Sequence, residues 1–405
     1  MEANARRRLD CLFRQFVPEL ENICGIQLEP TVNDFAHAVL IGGMALDIHA
    51  TPSSVPSPKT TTPGKVHYML GGVARNVAEC MFQLGSKPFM ISAVGTDMAG
   101  ELLLQHWSST GLSDKGIRKQ KNISTPVMCI IFDNHGEVAA AVASVEAIER
   151  FVDAHWIHHC EHKIRGAPIL MVDANLSPAA LQACCEVADK FDVPVWFEPV
   201  SVAKSRRISS VSHLVSIVSP NADELLAMAN AFSEGDTPFA SIDCDEILLE
   251  KLIQMCKRPV TMLLEKGIKL VAVTLGAKGV LLCSRGAKFM NFRLKATKLL
   301  RLVSPFPLRP SLASTLAEKE ASDLVIAHFP ALPAAVVRLT GAGDCFVGGT
   351  LVGLCNGLDI LQSAAVGVAA AKAAVGDAAN VPSRFDMSAL ANDAHVAYSK
   401  VTLIN

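Results

Sequence analysis

The sequence predicts an α/β fold, a largely parallel sheet covered by helices on both faces, and three observations carry that expectation. Short apolar runs at 38–41, 88–94, 169–172, 193–197, 214–218 and 271–275 alternate with stretches of helical pattern. Runs with little polar alternation suit strands buried on both sides. The residues with chemistry in them, among them Asp47, Asn175, Glu198 and Asn221, follow or close such runs. Ligands of parallel sheets gather there, beyond the carboxyl ends of the strands. Finally, 50% of the 405 residues are hydrophobic, enough to bury one large core, and no break in composition marks a second catalytic domain.

Taken in order, residues 1–35 precede the first strand and form an extension. Leu9, Leu12, Phe13 and Phe16 recur there at helical spacing, with Arg6, Arg7, Arg8 and Arg14 around them. Arg8-Leu9, five residues, then Gln15-Phe16 resembles the N-terminal nonapeptide that addresses eukaryotic proteins to the peroxisome, a signal read by a receptor rather than an anchor. Peroxisome is the expected location and cytoplasm the alternative. Asp10, Glu19 and Glu21 speak against a mitochondrial presequence, and an amphipathic helix docked on the domain is a further reading. The catalytic domain is expected over 36–390, followed by a tail at 391–405. Two stretches break the alternation, 48–70 and 126–143, the second with an Asp133-Asn134-His135-Gly136 turn, and read as extended pieces and a hairpin. Between 285 and 316, Arg285, Lys288, Arg293, Lys295, Lys298, Arg301 and Arg309 stand with no acidic residue, the pattern of a solvated insertion.

Composition narrows the function. A net charge of −2 gives no electrostatic case for nucleic acid, so a small molecule is the default partner. The apolar stretch 364–379 carries Lys372 and Asp377, and no membrane span is expected. Twelve cysteines without CxxC pairs read as reduced thiols, Cys345 as a buried small residue. His155, His158, His159 and His162 fall at i,i+4 spacings that can bind zinc, but they precede a strand as an ordinary crossover helix does.

The most informative stretch is Thr340-Gly341-Ala342-Gly343-Asp344-Cys345-Phe346, just before a long Ala/Gly-rich helical pattern. Small residues let successive backbone N–H groups turn to one point, and the following helix adds its positive end, so Gly341, Ala342 and Gly343 form a candidate anion hole. Asp344, in the first helical turn, is placed to accept a proton from an attacking hydroxyl. Three more motifs accompany it: Gly71-Gly72 with Asn76 four residues later, Asn221-Ala222-Asp223-Glu224, and Val273 to Val280 with Thr274, Gly276 and Gly279. No GxGxxG follows the first strand, which argues against a dinucleotide-dependent oxidoreductase.

Together these residues resemble the DTxGAGD, GGxxxN and NxxE motifs of the PfkB/ribokinase family of carbohydrate and nucleoside kinases. The resemblance implies a ribokinase-like three-layer sandwich, with the two irregular stretches forming a small β-sheet lid over the sugar and offering a surface for a homodimer. It implies ATP as phosphoryl donor and Asp344 as catalytic base. Asp47 would accept from two ribose hydroxyls, with Gly71, Gly72, Asn76 and Asn175 also binding substrate. Asn221, Thr274, Gly276 and Gly279 would border ATP, and Glu224 would hold Mg2+ through water. Where the family has an Asp that helps bind a monovalent cation, this chain has Arg338, so activation by potassium is doubtful. The wording around Gly71–Glu79, Val172–Leu176 and Phe197–Lys204 is similar to the branch that phosphorylates pseudouridine at its 5′-hydroxyl. Ribose, adenosine or inosine as acceptor, and a non-catalytic sugar-binding scaffold, are the alternatives. Pseudouridine exposes a second ring N–H, for which Asn175 and Glu146 are candidate acceptors.

Overall fold

The apolar runs become strands because each buries both of its faces. Along β1 (Val39–Ile41), Leu40 joins the core on one side of the sheet, while Val39 and Ile41 join the core on the other. The chain continues through β2 (Ala45–Pro52), β3 (Gly64–Gly71), β4 (Phe89–Gly95), β5 (Ile117–Gln120), β6 (Val127–Phe132), β7 (Val138–Ser144) and β8 (Leu170–Asp173). It ends with β9 (Val195–Glu198), β10 (Ile217–Val218), β11 (Leu270–Thr274), β12 (Val280–Arg285), β13 (Leu324–Phe329) and β14 (Thr402–Ile404). In β8 and β11 the same alternation divides Met171 from Leu170 and Val172, and Leu270 and Ala272 from Val271 and Val273. The structure, a computed structural model, describes residues 37–55, 59–133, 138–144, 146–233, 239–240, 247–294, 306–307 and 309–404. The peroxisomal-type pattern, the Asn134-His135-Gly136 part of the turn and much of the basic insertion lie outside these residues.

The large sheet runs β14-β13-β12-β11-β10-β9-β8-β1-β4-β5. From β11 to β5 every pair is parallel, while β12, β13 and β14 add an antiparallel edge. Helices Val73–Gln83, Ala342–Cys355, Ile360–Val375 and Met387–Ser399 cover one face; Pro178–Lys190, Ala222–Asn230 and Leu249–Glu265 cover the other. This is the three-layer α/β arrangement expected. Helix starts are written locally: Ser177 accepts from the Ala180 amide, with Pro178 in the first turn. From β1 the chain lays β4 and β5 on one side and then crosses to β8 on the other, which makes the β1/β8 pair the topological switch point.

The second sheet, β3-β2-β6-β7, is formed by the two stretches that broke the alternation. Its outer pairs are antiparallel, but β2 and β6 run parallel. The chain leaves the large sheet after β1, makes the β2–β3 hairpin and returns at Gly71-Gly72 into helix Val73–Gln83. The small sheet therefore stands directly on the switch point.

Three expectations need correction. Of 214–218 only Ile217–Val218 is a strand, because Ser212–Leu214 closes a 3₁₀ turn and ladder pairing starts at the Ser216 amide, bonded to the Val195 carbonyl. A short apolar run does not distinguish the two by periodicity. Asp47, expected at the end of the first strand, lies instead inside β2, opposite Met69 and Met128. Residues 391–405, read as a tail, include the end of helix Met387–Ser399, and β14 within them pairs with β13.

Candidate active site

At the switch point the deepest polar group is Asp173, the last residue of β8, with no solvent exposure. Its Oδ2 accepts from the amides of Gly43 (2.8 Å) and Ala74 (3.2 Å), and its Oδ1 from the Asn175 amide (3.0 Å). One carboxylate thus fastens the turn after β1, the first turn of helix Val73–Gln83 and the turn after β8. Burial pushes its carboxyl above the usual range, against those hydrogen bonds. Gly72 completes the crossing at φ 95°, where a Cβ would collide with the Gly43 carbonyl.

Asp344 sits in the first turn of helix Ala342–Cys355, partly covered at the bottom of the cleft. Gly341 precedes it at φ 87°, and a Cβ there would collide with the Asn380 carbonyl, so the turn is open to glycine alone. Gly341 has no side chain to cap the helix, and the first-turn amides keep their anion-binding direction. The Ala342 N–H donates to the Leu339 carbonyl at 3.2 Å, leaving Gly343 and Asp344 as the amides of the hole. A Cβ on Gly343 would meet no heavy atom within 4 Å, so this side of the cup faces open space. Burial pushes the Asp344 carboxyl up to about 7, with Asp173 and Asp47 adding to the effect and the Asn76 hydrogen bond and Arg75 charge opposing it. A base titrating near neutrality suits proton abstraction from a hydroxyl.

Asn76, expected at the rim of the sugar, is buried, and its Nδ2 donates to Asp344 Oδ2 at 2.6 Å. Its Oδ1 accepts from Arg75. Asp47, on the stalk of the lid, is 5% exposed, and burial raises its carboxyl against the charges of Arg75 and Arg338 and a hydrogen bond with Asn380. Gly71, opposite Ala45 in the hairpin, leaves room for that carboxylate. Arg338 Nη1 lies 2.6 Å from Met69 Sδ on β3, so its charge is directed at the lid. Asn175 follows β8, and its Oδ1 accepts from Lys204 Nζ at 2.6 Å. Lys204 engages one of the two lone pairs of that oxygen, and Glu146, the other candidate acceptor for a ring N–H, is exposed and pairs with Arg150 at 3.5 Å.

On the other flank, Asn221 and Glu224 form a capping box at the start of helix Ala222–Asn230. Asn221 Oδ1 accepts from the Glu224 amide, and Glu224 Oε2 from the Asn221 amide, both at 2.9 Å. The motif is therefore first a helix start. Glu224 is 7% exposed, its carboxyl raised by burial and by Asp223, and its Oε1 lies outside the box. Glu198, the end of β9, accepts from Ser219 and has its carboxyl raised well above the ordinary value by burial and by Glu224. Thr274 ends β11 beside Asn221. Gly276 opens the turn Gly276–Lys278, and Gly279, at φ 91°, closes it against the Phe329 carbonyl. Among the described residues no group of three or more His, Cys, Asp or Glu could hold a metal by itself. A single hard carboxylate oxygen fits Mg2+ that arrives on nucleotide phosphates and keeps its waters.

The sequence reading gave no role to Asp173, Arg75, Lys204 or Asn380, and named Glu198 only as a residue closing a strand-like run. Asp173 had a signal, an acid closing a buried apolar run; Asn380 had none, since only the folded chain brings it to the cup. The histidines of 155–162 are divided between helices Ala154–His159 and Glu161–Arg165, with His159 stacked on Trp156. Arg293 and Arg309 of the basic stretch donate to the carbonyls of Gly357, Tyr398 and Val401. They tie the insertion to the C-terminal helices.

The fold and this site define an α/β small-molecule kinase architecture, and comparison with known proteins agrees. The model of the pfkB family carbohydrate kinases matches residues 36–299 and 322–382, and the chain belongs to that family. It is 46% identical to the pseudouridine kinase of Arabidopsis thaliana over 373 residues, 90% of this chain and 97% of that protein. It is 22% identical to mouse ribokinase over 80% of this chain and 84% of that protein. Among solved structures, Arabidopsis thaliana ribokinase complexed with ribose and ATP superposes with a TM-score of 0.66, at 19% identity over 89% of this chain and 99% of that one.

Gly341→Ala is expected to leave the circular dichroism spectrum unchanged and to lower turnover by about 100-fold, because misplacement of a reacting group by about 1 Å costs that much. Steady-state kinetics on the folded variant check it.

Proposed function

We propose that this protein transfers the γ-phosphoryl group of ATP to the 5′-hydroxyl of pseudouridine. The observation that carries the reading is the place of Asp344, whose carboxyl burial pushes up to about 7, in the first turn of a helix with no side-chain cap, in a family of carbohydrate kinases. The 46% identity to a pseudouridine kinase across 97% of its length supports the acceptor. Ribose or another nucleoside has no observation of comparable weight.

In this reading Asp47 accepts hydrogen bonds from the ribose hydroxyls, and the Gly71-Gly72 backbone lines the sugar. Asp344 takes the proton of the 5′-hydroxyl as its oxygen bonds to the γ-phosphorus. The bond from that phosphorus to the β,γ-bridging oxygen breaks, and ADP leaves. The amides of Gly343 and Asp344 receive the charge on the transferring group. Thr274, Gly276 and Gly279 border the nucleotide. Mg2+ supplies charge neutralisation on the phosphates, and Glu224 Oε1 with Asn221 nearby would hold it through water. Arg338, where the family motif has an acid, places a positive charge that opposes a potassium ion.

A panel of pseudouridine, uridine, adenosine, inosine and ribose, offered with ATP and magnesium and read by ADP release, tests this. Pseudouridine is expected to lead the panel, and Asp344→Asn to lower its turnover by about 100-fold or more, the usual weight of a general base. Faster turnover of ribose or adenosine would reject the acceptor, and near-normal turnover by the Asn variant would reject the base. Asp344 must be ionised to act, so kcat/KM is expected to hold above pH 7 and to fall on acidification through about 7.

The lid exposes Val66, Tyr68, Ile131 and Val142, which supports pairing of two copies through it. Sedimentation should find a dimer that Tyr68→Lys shifts toward monomer; an unaltered distribution would rule out this surface.

The Arg8-Leu9 to Gln15-Phe16 pattern supports delivery to peroxisomes. A fluorescent protein fused to the C-terminus should be punctate, and Arg8→Ala with Leu9→Ala should make it diffuse without loss of kinase activity. A diffuse full-length fusion rejects the address.

A further inference from the structure

Asn76 has a side-chain amide whose two ends differ in sign but barely in shape. At its position only one orientation is useful, with Nδ2 donating to Asp344 Oδ2 at 2.6 Å. The reverse would set the amide oxygen against the carboxylate. Something must choose between them, and the group in contact with the other end of the amide is Arg75.

We infer that Arg75 is a positioning residue for Asp344, acting through Asn76. Arg75 is 2% exposed, and its guanidinium donates to Asn76 Oδ1. A guanidinium has donors only, so it accepts the oxygen end of the amide and rejects the nitrogen end. That choice turns Nδ2 toward Asp344 and holds Oδ2, leaving Oδ1 as the oxygen for an incoming hydroxyl. Arg75 is itself fixed: Nε donates to the Gly71 carbonyl at 3.0 Å, Nη2 to the Leu70 carbonyl at 2.9 Å, and Nη1 pairs with Glu79. Glu79 is held from its far side by His106 Nε2 at 2.9 Å. Burial alone would raise the Glu79 carboxyl, but the hydrogen bond from His106 and the charge of Arg75 hold it below the ordinary value, so it stays an anion. The line His106, Glu79, Arg75, Asn76, Asp344 runs from a half-buried helix surface to the bottom of the cleft.

Charge adds a second effect. Asp344 faces Asp47 from β2, Asp173 from β8 and Glu198 from β9, with Cys345 beside it on its own helix. With the Asn76 hydrogen bond, the charge of Arg75 keeps its carboxyl from rising further. Arginine is suited to both tasks, because its planar fork reaches several acceptors at once while remaining charged.

This inference rests on Asp344 as the base, and the test separates the two. The pH profile of kcat and kcat/KM is measured for Arg75→Lys, Arg75→Met, Asn76→Ala, Arg75→Met with Asn76→Ala, His106→Gln and Asp344→Asn. Arg75→Lys keeps the charge without the fork, and is expected to lose about 10-fold or more in kcat with its acidic limb in place. Arg75→Met is expected to lose kcat and also to move the acidic limb to higher pH. In the double variant the kcat losses should fall short of additive, since both substitutions remove one device. Should the Arg75 variants fail to fold, His106→Gln, at a side chain 35% exposed, loosens Glu79 and should lower kcat several-fold with KM little changed. A purely structural Arg75 would instead raise KM or lower the folded fraction, leave kcat of the folded enzyme within about two-fold and keep the limb where it was; that result, or additive losses, overturns the inference while Asp344→Asn remains inactive. Near-normal turnover by Asp344→Asn overturns both readings.

Discussion

The Asp173 carboxylate is the constraint on which the rest of the site depends. It lies fully buried at the carboxyl end of β8 and takes backbone amides from three separate segments, at Gly43, Ala74 and Asn175. Hydrogen bonds to a charged group contribute about 1.5–3 kcal/mol each, and a buried carboxylate left without them would be costly. Satisfying it forces β1, the start of helix Val73–Gln83 and the turn after β8 into one geometry. The lid stands on that junction through β2 and β3, and Asn76, one helical turn into the same helix, reaches Asp344 from it.

A repeated device surrounds the junction. Lys204 holds the oxygen of Asn175, whose amide also bonds the Asp173 side chain; Arg75 holds the oxygen of Asn76, whose nitrogen meets Asp344. In both a cation decides which way an amide faces and an amide stands between cation and carboxylate. Full ion pairing would hold a carboxylate low, whereas with an amide in between burial still raises it. The Asp344 value of about 7 is consistent with that arrangement.

The cleft concentrates Asp47, Asp173, Glu198, Glu224 and Asp344, each with its carboxyl raised and burial the largest cause. Such groups bind protons more tightly in the folded than in the unfolded chain. Their contribution to stability is therefore present at acid pH and is lost as pH rises from the unfolded carboxylate range through the folded values, for Asp344 up to about 7. A site of this kind costs the fold stability at neutral pH in exchange for carboxylates able to take protons or meet a cation. The two cores above and below the sheet, with strand residues dividing strictly between them, offset that cost.

The sequence by itself determined the architecture, because runs such as 38–41, 169–172 and 271–275 alternate with helical patterns as the strands of a covered parallel sheet do, and because glycine is required where the chain turns at positive φ, as at Gly341. It also determined that Asp344 heads a helix behind such a turn. The antiparallel edge β12–β14, the parallel β2–β6 pairing and the capping-box geometry of Asn221 and Glu224 were decided by the folded chain. So were the partners of Asp344 and Asp173: Asn76 is 268 residues from Asp344 along the chain, and Asp173 is 130 from Gly43. Periodicity and turn chemistry report on neighbours a few residues apart, whereas burial, carboxyl shifts and the facing of an amide depend on groups that only tertiary packing brings together.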